Sequence, residues 1–192
     1  YVCIYNKKYN KTGSRNKAIP PAPTPRPSSS QQKVSVEVEP FLKLAPNVPD
    51  IGLVSQTAEA SGADGLTLIN TMPGLTINVD SQEAELGAGQ GGVSGPALRA
   101  VGVHAVHCAN KKTTIPLVGV GGIMNEYDAI QYLLAGASLV QVGTATFADP
   151  RSAQETAQGI ERFCENQGID SISDLIGAYR KDKKTEIIKF VL

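Results

Sequence analysis

Four short apolar runs, each followed by a helical pattern, constrain this chain more than any other feature. They are PFLKLAP (40–46), GLTLIN (65–70), IPLVGVGG (115–122) and SLVQVGT (138–144). Runs of this length, bounded by glycine and turn residues, read as strands. The segments after them carry helix signals. Val48–Ser61 has Asn47 or Asp50 to cap it and Gly62 to stop it. Ala97–Asn110 follows Pro96, a good first-turn residue. Glu126–Ala135 has Asn125 before it and Gly136 after it. Pro150–Gln167 lies between Asp149 and Gly168, and a last helical pattern covers 171–184. Strand then helix, four times over, predicts a parallel sheet.

The pattern also echoes itself. GADGLTLINT begins at Gly62 and GASLVQVGT at Gly136, an offset of 74 residues or two β/α units of 37. Each is a helix-stop Gly-Ala that leads into a strand ending in threonine, Thr71 or Thr144. Regular units with chemically useful strand ends fit a (β/α)₈ barrel of the TIM type, whose sites lie at the C-terminal ends of the strands. Four units make only half of one. Upstream of Val34 the composition breaks: five prolines fall between Pro20 and Pro27, and three serines follow. Residues 1–33 are therefore expected to be a disordered Pro/Ser-rich tail or linker, 34–184 the half-barrel and 185–192 a second tail. The first residue is Tyr1 rather than Met, consistent with a fragment or a processed product.

Composition narrows the function. Eighteen basic residues balance eighteen acidic ones, so no basic field points to nucleic acid or an anionic membrane. Cys3, Cys108 and Cys164 lie far apart, with no C-x-x-C, which fits a reducing, cytoplasmic setting. No apolar run reaches the roughly 18 residues of a membrane span, and no signal-peptide core is visible at the start.

The glycines carry the first chemical clue. A dinucleotide fingerprint in GVGGIM would need glycine at 124, where Met124 stands. GAGQGG (87–92) has the letters, but SQEAEL before it is not a strand and no strand with an acid follows at the right distance. Gly121-Gly122 and Gly143-Thr144 instead close two successive strands. Their backbone N–H groups either converge on one phosphate, as loops after the last two barrel strands do, or only permit tight turns. Lys43 sits inside an apolar strand, where a cation is costly unless paired. It either meets an anion at the barrel mouth or is an edge-strand lysine reaching solvent. Asn70 and Thr71 bring an amide and a hydroxyl to the same rim, or serve turn chemistry alone. His104, His107 and Cys108 form H-x-x-H-C on a helix. No further histidine exists to complete a metal site, and no metal is expected.

Taken together, FLKLAPNVPDI, SGADGLTLINT, GGVSGPALR, IPLVGVGGIMN, AGASLVQVGTA and FADP resemble the dihydroorotate dehydrogenases, in particular their class 1B catalytic subunits, over about residues 40–180. That resemblance implies a TIM barrel that binds FMN and oxidises dihydroorotate to orotate in pyrimidine biosynthesis. It further implies a second subunit, with iron–sulfur and FAD, that passes electrons to NAD. Separately, a half-barrel leaves two open strand edges beside apolar faces, so a homo-oligomer is expected. By the same resemblance Lys43, Ile69 and Gly95 contact the flavin, Gly121, Gly122, Gly143 and Thr144 hold its phosphate, and Asn70 and Thr71 hydrogen-bond the pyrimidine. Reduced flavin gathers negative charge, which a lysine stabilises.

The family's first half is absent, and with it the loop whose cysteine acts as base. Cys3 lies outside every matched block and the other two cysteines lie on helical patterns, so no catalytic residue is assigned. A dihydropyrimidine dehydrogenase-like domain and a truncated, non-catalytic remnant stand as alternatives. VGTA favours dihydroorotate dehydrogenase over the first, and the missing cysteine loop supports the second.

Overall fold

A computed structural model describes residues 2–4 and 41–179. Most of the Pro/Ser-rich segment, and all of 185–192, lie outside them. Four parallel strands form the centre: β2 (Phe41–Leu44), β3 (Gly65–Leu68), β8 (Leu117–Val120) and β9 (Leu139–Val142). They are adjacent in the order β9-β8-β3-β2. Their connections run through α1 (Ile51–Ala60), α2 (Arg99–Asn110) and α3 (Glu126–Ala135), and α5 (Ser152–Gln167) follows β9. This is a TIM-barrel-type arc of four β/α units. All four expected strands are present, each somewhat shorter than its apolar run.

Side-chain alternation gives the sheet two faces. Leu66, Leu68, Leu117, Val140 and Val142 join the buried core with the helices. In register across the other face lie Lys43, Thr67, Val118 and Leu139. Phe41 shares that face: a Cβ on its register partner Gly65 would stand 2.2 Å from the Phe41 ring.

Caps decide where the helices start and stop. Asp50 rather than Asn47 caps α1, accepting the Leu53 N–H at 3.0 Å. Asn125 caps α3 as expected, accepting from Asp128 N–H at 3.1 Å. The echo is real in three dimensions. Gly62 and Gly136 both take positive φ, and the alanine after each, Ala63 or Ala137, donates back into the helix just ended.

Several boundaries differ from the expectation. Pro96–Leu98 is a 3₁₀ turn, so α2 starts two residues after Ala97. Asp149 caps a turn before α5 rather than α5 itself. Its carboxylate takes the Arg151 N–H at 2.9 Å and its carbonyl the Ser152 N–H at 3.0 Å. Instead of a helix from 171, a 3₁₀ turn covers Ile172–Asp174 and the chain then turns at Gly177; 180–184 lie outside the described residues. Gly177 and Tyr179 donate to the Leu133 and Leu134 carbonyls, so this stretch closes the C-terminal end of α3.

Four further features had no clear signature. Val2–Ile4, inside the segment expected to be a tail, form β1, antiparallel to β9, and continue the sheet past its parallel part. A single turn, α4 (Ala145–Ala148), follows β9. Between β3 and α2 the chain makes two short antiparallel ribbons. One pairs β4 (Met72–Gly74) with β7 (Gly91–Val93), the other β5 (Ile77–Asn78) with β6 (Glu83–Ala84). No helix among the described residues is long and apolar enough to cross a membrane.

Candidate ligand-binding rim

Parallel pairing puts the C-terminal ends of β2, β3, β8 and β9 along one edge, and the sequence-predicted site residues lie on it. Lys43 is the penultimate residue of β2 and is exposed. Ile69, Asn70 and Thr71 leave β3, Gly121 and Gly122 leave β8, and Gly143 and Thr144 leave β9. Gly95 comes from elsewhere in the chain. A Cβ on Gly122 would stand 2.8 Å from the Gly95 carbonyl oxygen and 2.7 Å from the Arg99 nitrogen, so the start of α2 lies directly against the end of β8. A Cβ on Gly95 would meet nothing within 4 Å. Lys43 and Gly143 are at the same end of the sheet, three strand spacings apart, roughly 14 Å. One ligand touching both must be elongated, with one end near β9 and the other near β2.

The loop after β8 is held by buried polar groups. Tyr132 of α3 is fully buried, and its hydroxyl donates to the Gly121 carbonyl at 2.6 Å. Burial pushes that hydroxyl well above the usual phenol range, so it stays protonated as a donor. The glycines around it make the space. A Cβ on Gly119 would come 2.4 Å from the Tyr132 ring, and one on Gly102 2.0 Å from its hydroxyl. Asp128, 3% exposed, closes the far end of the loop. One carboxylate oxygen accepts the Met124 N–H at 2.9 Å and the other accepts from the Arg99 guanidinium. With Asn125 accepting from Asp128 N–H, this is a capping box that reaches one residue further back than usual. Arg99 offsets the charge that Asp128 buries.

The loop after β9 is simpler. Gly143 gives its carbonyl to Thr146, to the N–H at 3.0 Å and to the hydroxyl at 2.8 Å, which starts α4. Near β2 and β3 a hollow of about 370 Å³ is lined by Ala45, Asn47, Asn70, Thr71, Gln90 and Gly92, among others. Asn70 turns its side-chain oxygen onto the Thr71 N–H at 3.0 Å, and Thr71 packs over Gly92 of β7. Asn47 and Gln90 were not singled out from the sequence as ligand contacts. Asn47 looked like a helix cap until Asp50 took that role, and Gln90 is placed by a ribbon with no clear sequence pattern.

Other candidates lie elsewhere. A hollow of about 430 Å³ between α2 and α3 is lined by Val103, His104, His107, Leu134 and Tyr179, on the helix side. His104 lies 3.5 Å from the Cys108 sulfur, while His107 meets the Tyr179 ring edge-on at 5.3 Å. No group of three potential metal ligands occurs among the described residues. Cys108 and Cys164 sit on α2 and α5, and Cys3 lies on β1, paired in register with Gln141. None of the three lies in the loops of the rim.

Comparison with known proteins decides the family. The family model described as dihydroorotate dehydrogenase matches residues 15–164. The chain belongs to the dihydroorotate dehydrogenase family. It is 45% identical, over 138 residues, to the dihydroorotate dehydrogenase B (NAD(+)) catalytic subunit of Pelobacter propionicus, covering 72% of this chain and 45% of that one. It is 44% identical, over 146 residues, to the subunit of that name in Desulforamulus reducens, covering 76% and 48%. A solved dihydroorotate dehydrogenase of Eimeria tenella, in complex with ferulenol, is similar in fold at 29% identity and a TM-score of 0.60, covering 72% of this chain and 37% of that one. The chain thus spans about half the length of the curated dihydroorotate dehydrogenases it matches.

Proposed function

We propose that this chain is the flavin-phosphate and substrate-binding half of a cytoplasmic dihydroorotate dehydrogenase, with FMN as cofactor and dihydroorotate and orotate as substrate and product. The observation that carries the proposal is the convergence of four strand ends, with their glycines, lysine and amide, on one edge. The relatives' names favour this over a dihydropyrimidine dehydrogenase-like domain.

The residues present fit FMN. Gly121, Gly122, Gly143 and Thr144 supply backbone at the ends of two adjacent strands, and an anion suits such N–H groups. Gly95 leaves open room beside them. Ile69 is buried, and its side chain lies near the Gly121 Cα, where a Cβ would be 3.5 Å from it, so it offers an apolar surface to a ring. Lys43, at the far end, brings a positive charge to where a ring gaining electrons gains negative charge. FMN, when bound, supplies the hydride acceptor. Asn70 and Thr71 orient the pyrimidine, and Asn47 and Gln90 from the same hollow add two more amides. Such a set matches the donors and acceptors of a cyclic imide.

No side chain on the rim is assigned as the base that removes the substrate's proton. A general base contributes about 10²–10⁴ in rate. The 192-residue chain is therefore expected to bind FMN but form little orotate by itself. The relatives' designation as a catalytic subunit favours an electron-transfer partner. The test is a titration of the purified chain with FMN, followed by an assay of orotate formation with a dye as electron acceptor. FMN binding without turnover is the expected result. Absence of flavin binding would sink the proposal, and full turnover would place a base within these residues.

A further inference from the structure

Tyr132 fills a slot that two elements leave open. Gly119 in β8 has no side chain where the ring lies, and Gly102 in α2 has none where the hydroxyl lies. Phenylalanine would fill most of that space equally well. What the hydroxyl adds is one hydrogen bond, and its acceptor is the carbonyl of the peptide that joins Gly121 to Gly122.

That peptide is easily misdirected. Gly121 has φ +128° and Gly122 φ +68°, conformations that glycine tolerates, and two such glycines allow the plane between them to rotate. A trans peptide is planar, with its C=O and N–H pointing in opposite directions. A hydroxyl that fixes the Gly121 carbonyl toward Tyr132 therefore also fixes the Gly122 N–H, pointing away from Tyr132. Asp128 holds Met124 two residues on, so the loop is anchored at both ends.

We propose that Tyr132 is a positioning residue for anion recognition: its hydroxyl holds the Gly121–Gly122 peptide in the one orientation that presents the Gly122 N–H to the flavin phosphate. The proposal rests on the phosphate assignment made above and adds to it a specific, buried determinant on α3. Tyr132 does not touch the ligand and acts only through the peptide it orients.

FMN and riboflavin differ only in the phosphate, and their separate affinities isolate this role. The experiment titrates each into the 192-residue wild-type chain and into Tyr132→Phe, following flavin fluorescence. Wild type is expected to prefer FMN. In Tyr132→Phe, FMN affinity is expected to fall about tenfold, the scale of one hydrogen bond to a charged group, with riboflavin affinity unchanged. A merely structural role would weaken both flavins together and leave their ratio alone. Gly102→Ala gives a second route to the same end, since its Cβ would stand 2.0 Å from the hydroxyl and displace it while keeping the tyrosine. The same selective loss is expected there. Variants that keep the wild-type FMN-to-riboflavin ratio would overturn the role of Tyr132 while leaving the phosphate site intact. A wild-type chain that binds FMN no better than riboflavin would overturn the phosphate assignment and this proposal with it.

Discussion

The ends of β8 and β9 look alike in sequence and are built differently. After β8, Gly121 and Gly122 form a loop secured by Tyr132, Asp128 and Arg99, with the backbone of α2 pressed against it. After β9, Gly143 only starts a turn: its carbonyl takes two bonds from Thr146, and Phe147 on that turn is 91% exposed. Glycine at a strand end thus serves more than one need. Gly119 admits a ring, Gly122 admits a neighbouring backbone, and Gly143 starts a turn through its carbonyl. A side chain added in the first loop should cost stability as well as binding, whereas one added in the second should cost mainly binding.

The largest effect is expected at Gly122. Alanine there puts a Cβ 2.7 Å from the Arg99 nitrogen and 2.8 Å from the Gly95 oxygen, at a φ of +68°. Overpacking against backbone costs about 1–3 kcal/mol and left-handed strain about 1–2 more. Urea unfolding of Gly122→Ala should therefore show a loss of roughly 2–5 kcal/mol. A midpoint equal to wild type would mean that this loop is not the secured one.

Gly143→Val is expected to do the reverse. Its side chain would enter the phosphate site and weaken FMN binding by about 1.5–3 kcal/mol, roughly ten- to a hundred-fold. The same variant should lose less stability than Gly122→Ala, about 1 kcal/mol, since Gly143 is half-buried and does not take a left-handed φ. Unchanged flavin content, or a large drop in stability, would erase the contrast between the two ends.

Asp128→Asn is expected to be milder than Gly122→Ala. The amide keeps one acceptor for Met124 but no longer neutralises Arg99, which is 40% exposed and partly screened by water. A loss of about 1–2 kcal/mol in urea unfolding is expected. The smallest effect belongs to Phe147→Ser, which should change stability by less than about 0.5 kcal/mol. A larger loss on thermal or urea unfolding would show that α4 is anchored more firmly than its exposure implies.

Most of the arc was legible because its signals are local. Asn125 and Gly136 delimit α3 to the residue, and the Gly-Ala pairs at 62 and 136 end helices in the same way. Parallel pairing followed from the alternation of strand and helix alone, and Lys43, Asn70, Thr71 and the glycines at 121, 122 and 143 followed from strand ends, whereas Ile69 and Gly95 followed only from the resemblance. What escaped depends on partners distant in sequence. Nothing around Tyr132 announces that its hydroxyl reaches Gly121 eleven residues back, or that Gly102 and Gly119 make room for it. The ribbons 72–74 with 91–93 and 77–78 with 83–84 are too short for a period-two pattern, and their exposed Leu75, Ile77 and Val79 do not mark a buried face. The helix expected from 171 gave way, over the described residues, to a 3₁₀ turn, because such a turn and a helix start share the same serine and aspartate signals.

The central claim is that the β8 and β9 ends grip one phosphate, and a crystal structure of this chain grown with FMN tests it most directly. The account predicts phosphate oxygens within about 2.7–3.2 Å of the backbone nitrogens of Gly122 and Thr144, with the ring extending toward Lys43. Phosphate density elsewhere, such as in the hollow between α2 and α3, would contradict it.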